Sequence, residues 1–562
     1  MNAPLIECVP NFSEGNDQAL IKQITDRIES VDGVKLLDVD PGRATNRTVV
    51  TFVGQPEPVI EAAVRAAAAA AELIDMSKHT GQHPRFGAMD VCPLVPVANV
   101  TMDQTVAHAH TLAKRLADEV GLTIYCYEHA AQKPGRTNLA TVRAGQYEGL
   151  SEKLKDPAWA PDFGPSAFNA KSGATAVGAR DFLVAYNVNL NTTSTRRANA
   201  VAYDIREKGR VKTDDGTPSG KPVLDDQGNK VWTPGTLKCC KAIGWFIDEF
   251  GIAQISINLT NIAVTPIHVA FDESCERARD RGLRVTGSEI VGLVPLQAML
   301  DAGRYFLRKQ QRSLGVSDAE LIKIAVKSLG LDELYRFKPH EKIIEYAIAA
   351  GQESKRLVDM TVADFVHETA SESKAPGGGS IAAAMGAMGA ALATMVANLS
   401  AHKRGWDDRW KEFSQWAEKG KACHDELLHL IDADTDAFNR IVAAWGLPES
   451  TDTEKAAKTQ AIQNATKGAI EVPLKVMHVA LDSMQVAKQM AEQGLPASAS
   501  DAAVAALAAR SAVLGAHLNI KINATDVEDQ AWMDRILKKG AELEHQARQA
   551  EKTILLLVEK RL

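Results

Sequence analysis

Cysteine is scarce in this sequence and follows none of the spacings on which cysteine-rich sites depend. Seven cysteines occur among 562 residues, an odd number without any repeated CxxC pair. Neither a disulfide framework nor a structural zinc site is indicated. The N-terminal stretch MNAPLIECVPNFSEG also lacks a basic start followed by an apolar run, so no secretory signal is expected. These absences together predict a cytoplasmic protein.

The numbers of acidic and basic residues are also nearly balanced, so the sequence lacks a large excess of either charge. The 64 Lys and Arg residues against 71 Asp and Glu residues leave a net charge of -7, which gives no general attraction toward nucleic acid or an anionic membrane. An anionic ligand must therefore be held by local groups. With 45% hydrophobic and 24% charged residues, the composition is typical of a globular protein. The length predicts about three or four domains or subdomains.

Several common enzyme motifs are missing as well. The chain contains neither GxGxxG after a strand nor GxSxG, so dinucleotide binding and α/β-hydrolase chemistry have no support. The segment GTPSGKP at 216–222 lacks the spacing of a phosphate-binding loop. In HDELLH, His424 and His429 lie about 140° apart around a helix, which is unlike the single face used by HExxH zinc sites.

The hydrophobic pattern divides the chain into an α/β part and a helical part. Up to about residue 358 the periodicity predicts the order β-α-β-β-α-β twice, with a loop-rich joint at 156–173 and a turn-rich surface hairpin inserted at 210–235. The predicted parts are a first α/β subdomain at 1–175, a second at 176–340, a linker at 341–358 and an all-α domain at 359–562. Two α/β subdomains that meet at a joint form a cleft, which is a common place for a ligand.

Proline and β-branched runs almost disappear in the last part of the chain. Between Gly377 and Leu562 proline occurs only at 448, 473 and 496, and alanine is dense, which predicts a helical bundle. The predicted helix at 380–400 is uncharged and has small residues every four positions, so that neighbouring backbones can approach closely. It is long enough to cross a bilayer, but we interpret it as a buried helix of a soluble bundle.

Polar residues are dense at the entry of one predicted strand, in KHTGQHPRFGAMD at 78–90. His83 precedes Pro84, which favours an extended backbone, and an imidazole can both accept and donate a proton near neutral pH. His83 is therefore a candidate proton carrier. Two alternatives stay open. His83 is either an ordinary surface-loop histidine or part of a metal pair with His79, for which the sequence shows no third ligand.

Two further segments of the α/β part carry groups that suit a binding site. Asp38 and Asp40 end a predicted strand before the turn PGRATNR, where carboxylates either cap the turn or serve a site. The run DFGPSAFNAKSGATAVGAR at 162–180 is rich in Gly and Ser and carries Lys171 and Arg180. It suits an anionic or flat ligand, although a plain linker between subdomains has the same composition.

In the helical part, Asp434 lies within an apolar stripe. The stripe has helical spacing and consists of Leu427, Leu430, Ile431, Ala437, Phe438 and Ile441. A carboxyl group that faces a core must be hydrogen-bonded, ion-paired or protonated, and burial raises its pKa toward a range useful for acid/base work. A structural aspartate at a bundle junction is the alternative. The motif APGGGS at 375–380 either binds an anion through backbone N–H groups or only caps a tightly packed helix.

In their order along the chain these blocks resemble the bifunctional formiminotransferase cyclodeaminase family over essentially the whole length. The resemblance is carried by LIECVPNFSEG, LLDVDPGRATNRTVVTFVG, LIDMSKHTGQHPRFGAMDVCPLVPV, WAPDFGPSAFNAKSGATAVGAR, IGWFIDEFGIAQISINLTN, VGLVPLQAMLDAG, APGGGSIAAAMGAMGAAL and LIDADTDAF. It implies a folate enzyme of histidine degradation. The first activity moves the formimino group of N-formimino-L-glutamate to N5 of tetrahydrofolate. The second closes 5-formiminotetrahydrofolate to 5,10-methenyltetrahydrofolate and releases ammonia.

The resemblance also implies roles for particular residues and partners. It assigns catalysis to His83 and Asp40 in the transferase and to Asp434 in the cyclodeaminase. The implied folate-binding stretch consists of Gly164, Pro165, Ser166, Ala167, Phe168, Asn169, Ala170, Lys171, Ser172 and Gly173. Tetrahydrofolate, in polyglutamylated form, is the implied co-substrate, and no metal is required. The chain is expected to form dimers and a larger ring, without nucleic acid and without a membrane span.

Two rival hypotheses remain for the helical part and for the whole chain. In the first, the chain is a formiminotransferase whose α domain serves only as an oligomerisation scaffold. In the second, the chain is a non-enzymatic scaffold with a degenerate folate module. The position of Asp434 within its apolar stripe and the complete APGGGS motif favour two catalytic domains over both rivals.

Overall fold

Strands and helices alternate in the first part of the chain, and long helices make up the last part. The computed structural model describes residues 4–43, 46–81, 84–217, 220–349 and 356–562. The chain divides into two compact units. Unit 1 comprises Met1–Met299 and Val326–Gln352, and unit 2 comprises Leu300–Ala325 and Glu353–Leu562.

Unit 1 contains a first sheet of mixed direction. Its described strands are β1 (Leu5–Cys8), β2 (Asn11–Phe12), β3 (Val34–Gly42), β4 (Arg47–Gly54), β5 (Met89–Ala98), β6 (Thr123–Glu128) and β7 (Ala174–Ala179). The order is β1-β4-β2-β5-β7-β6, with β3 beside β4 and an additional pairing of β1 with β5. Strands β5, β7 and β6 run parallel to one another, whereas β1, β2 and β3 pair antiparallel with β4.

Helices cover one face of this sheet. They are α1 (Gln18–Glu29), α2 (Pro56–Leu73) and α3 (Met102–Val120). The short helices α4 (Leu139–Val142) and α5 (Leu150–Lys153) pack in a separate core with residues of the opposite face, such as Tyr125. Asp17 caps α1 by accepting hydrogen bonds from the N–H groups of Ala19 and Leu20. Apolar side chains of α1, α2 and α3 share one core with sheet residues such as Ile6 and Phe52.

Part of the other face of the first sheet carries polar side chains. Successive residues of a strand point to opposite faces, and on β1 the fully buried Ile6 and Cys8 belong to the core under the helices. Glu7 therefore points to the opposite face. Arg47, Val49 and Thr51 follow the same alternation on β4. This face borders the cavity described below.

A second, antiparallel sheet completes unit 1. Its described strands are β8 (Val184–Leu190), β11 (Cys240–Ile247), β12 (Ile252–Leu259) and β13 (Val285–Val291), in the order β11-β12-β8-β13. Helices α6 (Thr195–Ile205) and α7 (Ile267–Asp280) complete the predicted β-α-β-β-α-β order. The predicted insertion forms a hairpin of β9 (Arg210–Val211) and β10 (Trp232–Thr233). Helices α10 (Pro339–Lys342) and α11 (Ile344–Ala349) also belong to unit 1, whereas α8 (Leu296–Lys309) and α9 (Asp318–Leu329) lie mostly in unit 2.

Unit 2 contains a bundle of long helices. They are α12 (Val362–Thr369), α13 (Gly378–Ala401), α14 (Trp410–Trp445), α15 (Asp452–Gln493), α16 (Ala499–Asn523) and α17 (Gln530–Glu559). Helix α13 packs against α14, α15 and α16. A Cβ atom at Gly389 would lie only 2.9 Å from the carbonyl oxygen of Ala505 on α16, so its glycine permits the close approach. The predicted fold class, two α/β subdomains followed by an all-α bundle, is confirmed.

Two apolar stretches of unit 2 are long enough to cross a membrane when judged by length and composition. They are Gly378–Ala401 and Pro496–Asp526, and 67% and 44% of their most apolar windows are buried within the protein. The greater burial of the first agrees with its position between three other helices. It is thus a core helix of the bundle, although its outer side remains exposed.

Some element predictions were wrong. The periodicity predicts two helices, at 409–418 and 425–445, but these residues form one continuous helix, α14, because no helix breaker other than Gly420 separates them. Gly420 packs closely on Thr394, where a Cβ atom would lie 2.2 Å from the threonine hydroxyl. Strand β7, with the sequence ATAVGA, was not predicted, because four of its six residues are Ala or Gly, which are uncommon in strands.

Candidate active sites

The two sheets of unit 1 border one cavity of about 360 Å³. The first sheet contributes side chains from its polar face. The second sheet contributes Ala185, Asn258 and Val291, which are neighbours in register across β8, β12 and β13. The charged residues around the cavity are Glu7, Asp38, Asp40, Arg47, Arg143 and Arg180. The cavity therefore presents both signs of charge to a ligand.

A pair of arginines shares a single buried carboxylate beside this cavity. Asp90 is fully buried, and its Oδ2 accepts hydrogen bonds from Nη1 of Arg47 and, at 2.7 Å, from Nη1 of Arg143. Its Oδ1 accepts a 2.9 Å bond from the N–H of Phe86. Two guanidinium groups on one carboxylate leave a net positive charge, and Nε of Arg143 is buried without a partner among the described residues. The two arginines together can therefore bind an anion.

The acidic groups of the cavity differ in their surroundings. Glu7 is 5% exposed, and burial raises the pKa of its carboxyl group to about 7 although Arg180 opposes the shift. Burial also raises the pKa of Asp38, with Lys342 opposing and Asp40 adding to the shift. Asp40 itself is exposed near the end of β3 and borders the cavity, as its predicted role requires.

The predicted proton carrier, His83, lies outside the described residues, together with Gln82. Nearby, both ring nitrogens of His79 are used, since Nε2 lies 2.8 Å from the Asn46 carbonyl oxygen and Nδ1 accepts a 3.2 Å bond from Arg85. His79 is therefore not a free metal ligand here. In the described part of the chain, no three His, Cys, Asp or Glu side chains are grouped to hold a metal ion.

Residues 164–171 of the predicted folate stretch form an exposed loop that leads into β7, whereas Ser172 and Gly173 are buried. Gly164 and Gly173 have φ angles of 82° and 65°, and a Cβ atom at either position would lie 2.1 Å from a backbone oxygen. Lys171 donates a 2.7 Å bond to the carbonyl of Glu72 at the end of α2. The ring of Phe168, 38% exposed, lies 5.7 Å from that of Tyr147. The loop thus has a fixed shape and a partly exposed aromatic pair.

The loop does not line the 360 Å³ cavity, so the structure does not bring residues 164–173 and Asp40 into one cavity. Instead, the end of the loop adjoins the segment that follows residue 83. The N–H of Ala174 bonds to the carbonyl of Phe86, and the N–H of Ala88 bonds to that of Ser172. The loop and the segment after His83 are therefore held side by side at the start of β5 and β7.

A second candidate site lies in unit 2, around Asp434 of α14. Its Oδ2 accepts a 3.2 Å bond from the hydroxyl of Ser380 in the first turn of α13. Burial raises the pKa of Asp434, whereas hydrogen bonds from the hydroxyl and N–H of Ser380 oppose the shift. A Cβ atom at Gly379 would lie 2.1 Å from Oδ1 of Asp434. The APGGGS motif thus allows the helix N-terminus to approach the carboxyl group closely.

Asp434 borders a pocket of about 150 Å³. One side is apolar, with Phe438, Ile441 and Ala469, and the other is polar. The polar side includes Lys374 and two amides of α16, Asn519 and Asn523. A carboxyl group with a raised pKa beside hydrogen-bond donors and a cation can exchange a proton with a small polar group of a ligand.

Sequence reasoning missed several of these groups. No sequence motif marked Asn519, Asn523 or Lys374 as site residues, because they come from segments distant in the sequence. Glu7 did carry a signal, since it is a lone acid within the apolar strand LIECV. Arg47 and Arg143 become a pair only through Asp90, which tertiary structure places between them.

The fold and the sites define a chain with two separate enzyme-like sites, one in an α/β unit and one in a helical unit. Models of protein families match both. "Formiminotransferase domain, N-terminal subdomain" matches residues 5–180, "Formiminotransferase domain" matches 185–349, and "Formiminotransferase-cyclodeaminase" matches 361–542. The chain belongs to the formiminotransferase-cyclodeaminase family.

Relatives match the whole chain and each part separately. The formimidoyltransferase-cyclodeaminase of Sus scrofa is 43% identical over 557 residues, 99% of each chain. The glutamate formimidoyltransferase of Thermoplasma acidophilum is 43% identical over 306 residues, which are 54% of this chain and 92% of the relative. The methenyltetrahydrofolate cyclohydrolase of Methylorubrum extorquens is 38% identical over 179 residues, 32% of this chain and 86% of the relative.

Proposed function

We propose that the chain is a bifunctional folate enzyme with the two activities that its relatives' names describe. Unit 1 transfers the formimino group of N-formimino-L-glutamate to N5 of tetrahydrofolate. Unit 2 converts the resulting 5-formiminotetrahydrofolate to 5,10-methenyltetrahydrofolate and ammonia. The observation that carries the proposal is the 43% identity to a formimidoyltransferase-cyclodeaminase across 99% of both chains. In this family the two reactions belong to histidine degradation.

The transfer exchanges one nitrogen for another at the formimino carbon. A bond from N5 to that carbon forms, the bond from the carbon to the glutamate nitrogen breaks, and the N5 proton passes to the departing nitrogen. We assign this proton transfer to His83, because an imidazole can accept and then donate a proton near neutral pH. Asp40, at the edge of the cavity, would orient the histidine or the attacking amine.

The charges of the cavity support an anionic glutamate-derived donor. Arg47 and Arg143 carry two positive charges against the single carboxylate of Asp90. They can therefore accept a substrate carboxylate without losing all their other contacts. Arginine binds carboxylates in a planar, two-point geometry, so the pair would fix the donor's orientation as well as its position.

Ring closure in unit 2 requires a proton transfer of the same kind. N10 attacks the formimino carbon, the N10 proton is transferred to the amino nitrogen, and ammonia leaves while the product keeps the positive charge. We assign the transfer to Asp434, whose raised pKa and position at the 150 Å³ pocket support it. This assignment disfavours the scaffold-only hypothesis for the helical domain.

We also propose that residues 164–173 bind folate and that the natural co-substrate is polyglutamylated. The fixed shape of the loop and the exposed ring of Phe168, which offers a surface for a flat ring system, support the first part. The family resemblance supports the second. We expect the KM for tetrahydrofolate to fall as glutamate residues are added to its tail. A KM that does not depend on tail length would contradict it.

Self-association is a further part of the proposal. Along α13 the outer side carries apolar residues at spacings of seven and four, namely Met388, Met395 and Leu399. These three side chains are 61%, 39% and 44% exposed. Val504, Leu518 and Ile522 of α16 are exposed as well. A second copy of this chain is the occupant we propose for this surface, since a soluble monomer rarely exposes so much apolar area.

The proposed location is the cytoplasm. All seven cysteines are free thiols, and the sulfur atoms of Cys8 and Cys92 lie 3.5 Å apart in the core without a covalent bond. Such a pair supports a reducing compartment. Fractionation of cells that make the protein, followed by immunodetection, tests this location directly.

An assay of both products tests the function. Purified protein is mixed with N-formimino-L-glutamate and tetrahydrofolate, and the ultraviolet absorbance of methenyltetrahydrofolate is followed together with released glutamate and ammonia. In Asp434→Asn we expect glutamate release to continue and ring closure to fall by at least about a hundredfold, because the amide cannot carry the proton. Asp436→Asn, an exposed aspartate two residues further on α14, is the matched control.

Three outcomes separate the hypotheses. Both products from the unaltered protein support two active units. Glutamate without ammonia would leave the helical domain as a scaffold, and no turnover would contradict the enzyme proposal altogether. Equal loss of ring closure in Asp434→Asn and Asp436→Asn would contradict the role of Asp434.

A further inference from the structure

Glu7 occupies an unusual position for a carboxyl group. It lies on β1, where it is in register with Val53 of β4 and Val95 of β5, so the strand is hydrogen-bonded on both sides. Its side chain is 5% exposed and borders the cavity of unit 1. Among the residues that the structure describes, no backbone or side-chain group donates a hydrogen bond to this carboxyl group.

A buried carboxyl group without a partner is costly to ionise. Most buried polar groups in proteins are hydrogen-bonded, and most buried charges are paired. Here burial raises the pKa of Glu7 to about 7, Arg180 opposes the shift, and Glu345 of α11 adds to it. A ligand cation in the cavity would supply the missing partner and hold the carboxyl group in its ionised form.

The charged groups of the cavity differ in their partners. Arg47 and Arg143 are held by Asp90, whereas Glu7 has no such partner among the described residues. The proposed donor matches this division chemically. Its glutamate part carries two carboxylates, and its formimino part is an amidine, a strong base that is protonated at neutral pH. An amidinium presents N–H groups in a plane, as a guanidinium does, and so can pair with a carboxylate through two parallel hydrogen bonds.

We propose that Glu7 binds the cationic formimino group of the donor and selects it over uncharged acyl groups. This inference rests on the proposed transferase function and adds to it a residue that determines specificity. The ion pair keeps the formimino carbon electrophilic, because the amidine stays protonated while N5 attacks. Glu7 retains its charge throughout, and the N5 proton still passes to the glutamate nitrogen.

An uncharged analogue provides the contrast. N-formyl-L-glutamate has the same carboxylates and nearly the same shape, but an oxygen replaces the cationic nitrogen. Its binding leaves the Glu7 carboxyl group unpaired or protonated. Truncating one partner of a buried, hydrogen-bonded charge pair commonly costs a factor of about a hundred in affinity. We therefore expect the unaltered protein to bind the formimino compound about a hundredfold more tightly than the formyl compound.

The preference should depend on pH. Glu7 must be ionised to bind the cation, so the preference is expected to weaken below about pH 7. The other charged groups facing this part of the cavity are Arg180, Glu345, Asp38, Asp40, Arg47 and Arg143, and Tyr127 of β6 also borders it. Asp38 also borders the cavity and has a raised pKa. The difference between the affinity ratio of the unaltered protein and that of Glu7→Gln therefore isolates the contribution of Glu7.

Calorimetric titration of the full chain with each compound, from pH 5.5 to 8.5, tests the inference. In Glu7→Gln the preference is expected to fall to within about fivefold of unity and to lose its pH dependence, mainly through weaker binding of the formimino compound. Glu7→Asp should retain part of the preference. Glu29→Gln, which removes an exposed carboxylate from α1, should leave the preference unchanged.

The outcomes separate this inference from the proposed function. If the unaltered protein transfers the formimino group but binds both compounds equally, or if Glu7→Gln keeps the preference, the role of Glu7 is wrong while the function stands. If the unaltered protein neither binds nor turns over the formimino compound, the proposed function fails first. If Glu7→Gln does not fold, Glu7→Asp decides the question, because shortening the side chain by one methylene should weaken the preference if Glu7 binds the formimino group and leave it unchanged if it does not.

Discussion

At the scale of single residues, the two carboxyl groups with raised pKa values are held in different ways. Asp434 keeps two hydrogen bonds from Ser380, which partly compensate its burial. Glu7 has none from the residues that the structure describes, and only the charge of Arg180 favours its ionised form. Residues that are costly to the fold in this way are expected at functional sites, because selection for stability alone would replace them.

The cost of Glu7 predicts a pH-dependent effect on stability. The pKa of its carboxyl group is about 7 in the folded protein, against 4.5 for an unperturbed glutamate, so the folded state binds the proton more tightly. The stability that this group contributes is fully present below about pH 4.5 and is lost as the pH rises through 7. Above pH 7 the unpaired charge costs up to about 3 kcal/mol.

Glu7→Gln should therefore raise the melting temperature of the full chain at pH 8 and change it little at pH 4.5. Differential scanning calorimetry at both pH values measures the effect, and Glu29→Gln serves as the control. A Glu7→Gln protein that is less stable at pH 8 than the unaltered protein would show that the carboxyl group has a stabilising partner in the fold.

At the scale of elements, the contact between α13 and α14 positions Asp434. Glycines at the N-terminus of α13 leave room for the carboxyl group, and the space at Gly379 is already filled by it. Gly386 and Gly389 further along bring α13 close to α16, which carries Asn519 and Asn523 of the same pocket. The small residues of α13 thus set both the packing of the bundle and the width of the pocket.

Gly379→Ala should slow ring closure and leave formimino transfer unchanged. The added Cβ atom would lie 2.1 Å from Oδ1 of Asp434, so the carboxyl group must move away from Ser380. A loss of at least about tenfold in the rate of ring closure is expected, because a displacement near 1 Å at a catalytic group is costly. The measurement is methenyltetrahydrofolate formation from added 5-formiminotetrahydrofolate.

The matched control for this substitution is Gly468→Ala on α15, where an added Cβ atom meets nothing within 4 Å. Alanine at this helical position should preserve both activities and slightly raise stability. Full ring closure in Gly379→Ala would show that Asp434 does not need its present contact with α13.

At the scale of the whole molecule, the chain carries two units with separate sites. Each unit has its own core and its own cavity, so we expect loss of one activity without loss of the other. The exposed apolar side of α13 and α16 is a property of the folded unit, since the same residues alternate with buried ones along each helix. It predicts that the molecule is an assembly of identical chains.

The double substitution Met388→Glu and Met395→Glu should dissociate that assembly. Carboxylates on the proposed contact must be desolvated when two copies meet, which opposes association. Sedimentation velocity is expected to show a smaller species than for the unaltered protein. Leu224→Glu, at a residue 55% exposed in the 210–235 hairpin, is the control and should sediment as the unaltered protein does. The same sedimentation for all three proteins would exclude this surface as a contact.

Much of the fold was predictable because local signals agreed with it. The periodicity predicts helices at 18–29 and 267–280, which are the observed bounds of α1 and α7, since Asp17 caps α1 and Pro266 precedes α7. Strand β7 was missed, because its sequence is mostly Ala and Gly and its pairing with two parallel neighbours is not visible in the sequence. Asp434 was found from helical periodicity, which places a residue on a face but says nothing of the neighbouring helix.

The amino-acid sequence by itself determined the alternation of strands and helices, the change to an all-α part and the face on which Asp434 lies, because these follow from periodicities of a few residues. Tertiary structure alone decided that Arg47 and Arg143 share Asp90, that Glu7 is buried without a partner among the described residues, and that Gly379 meets Asp434. Those relations join residues far apart in the chain. They depend on strand register and helix packing, which the whole core fixes together.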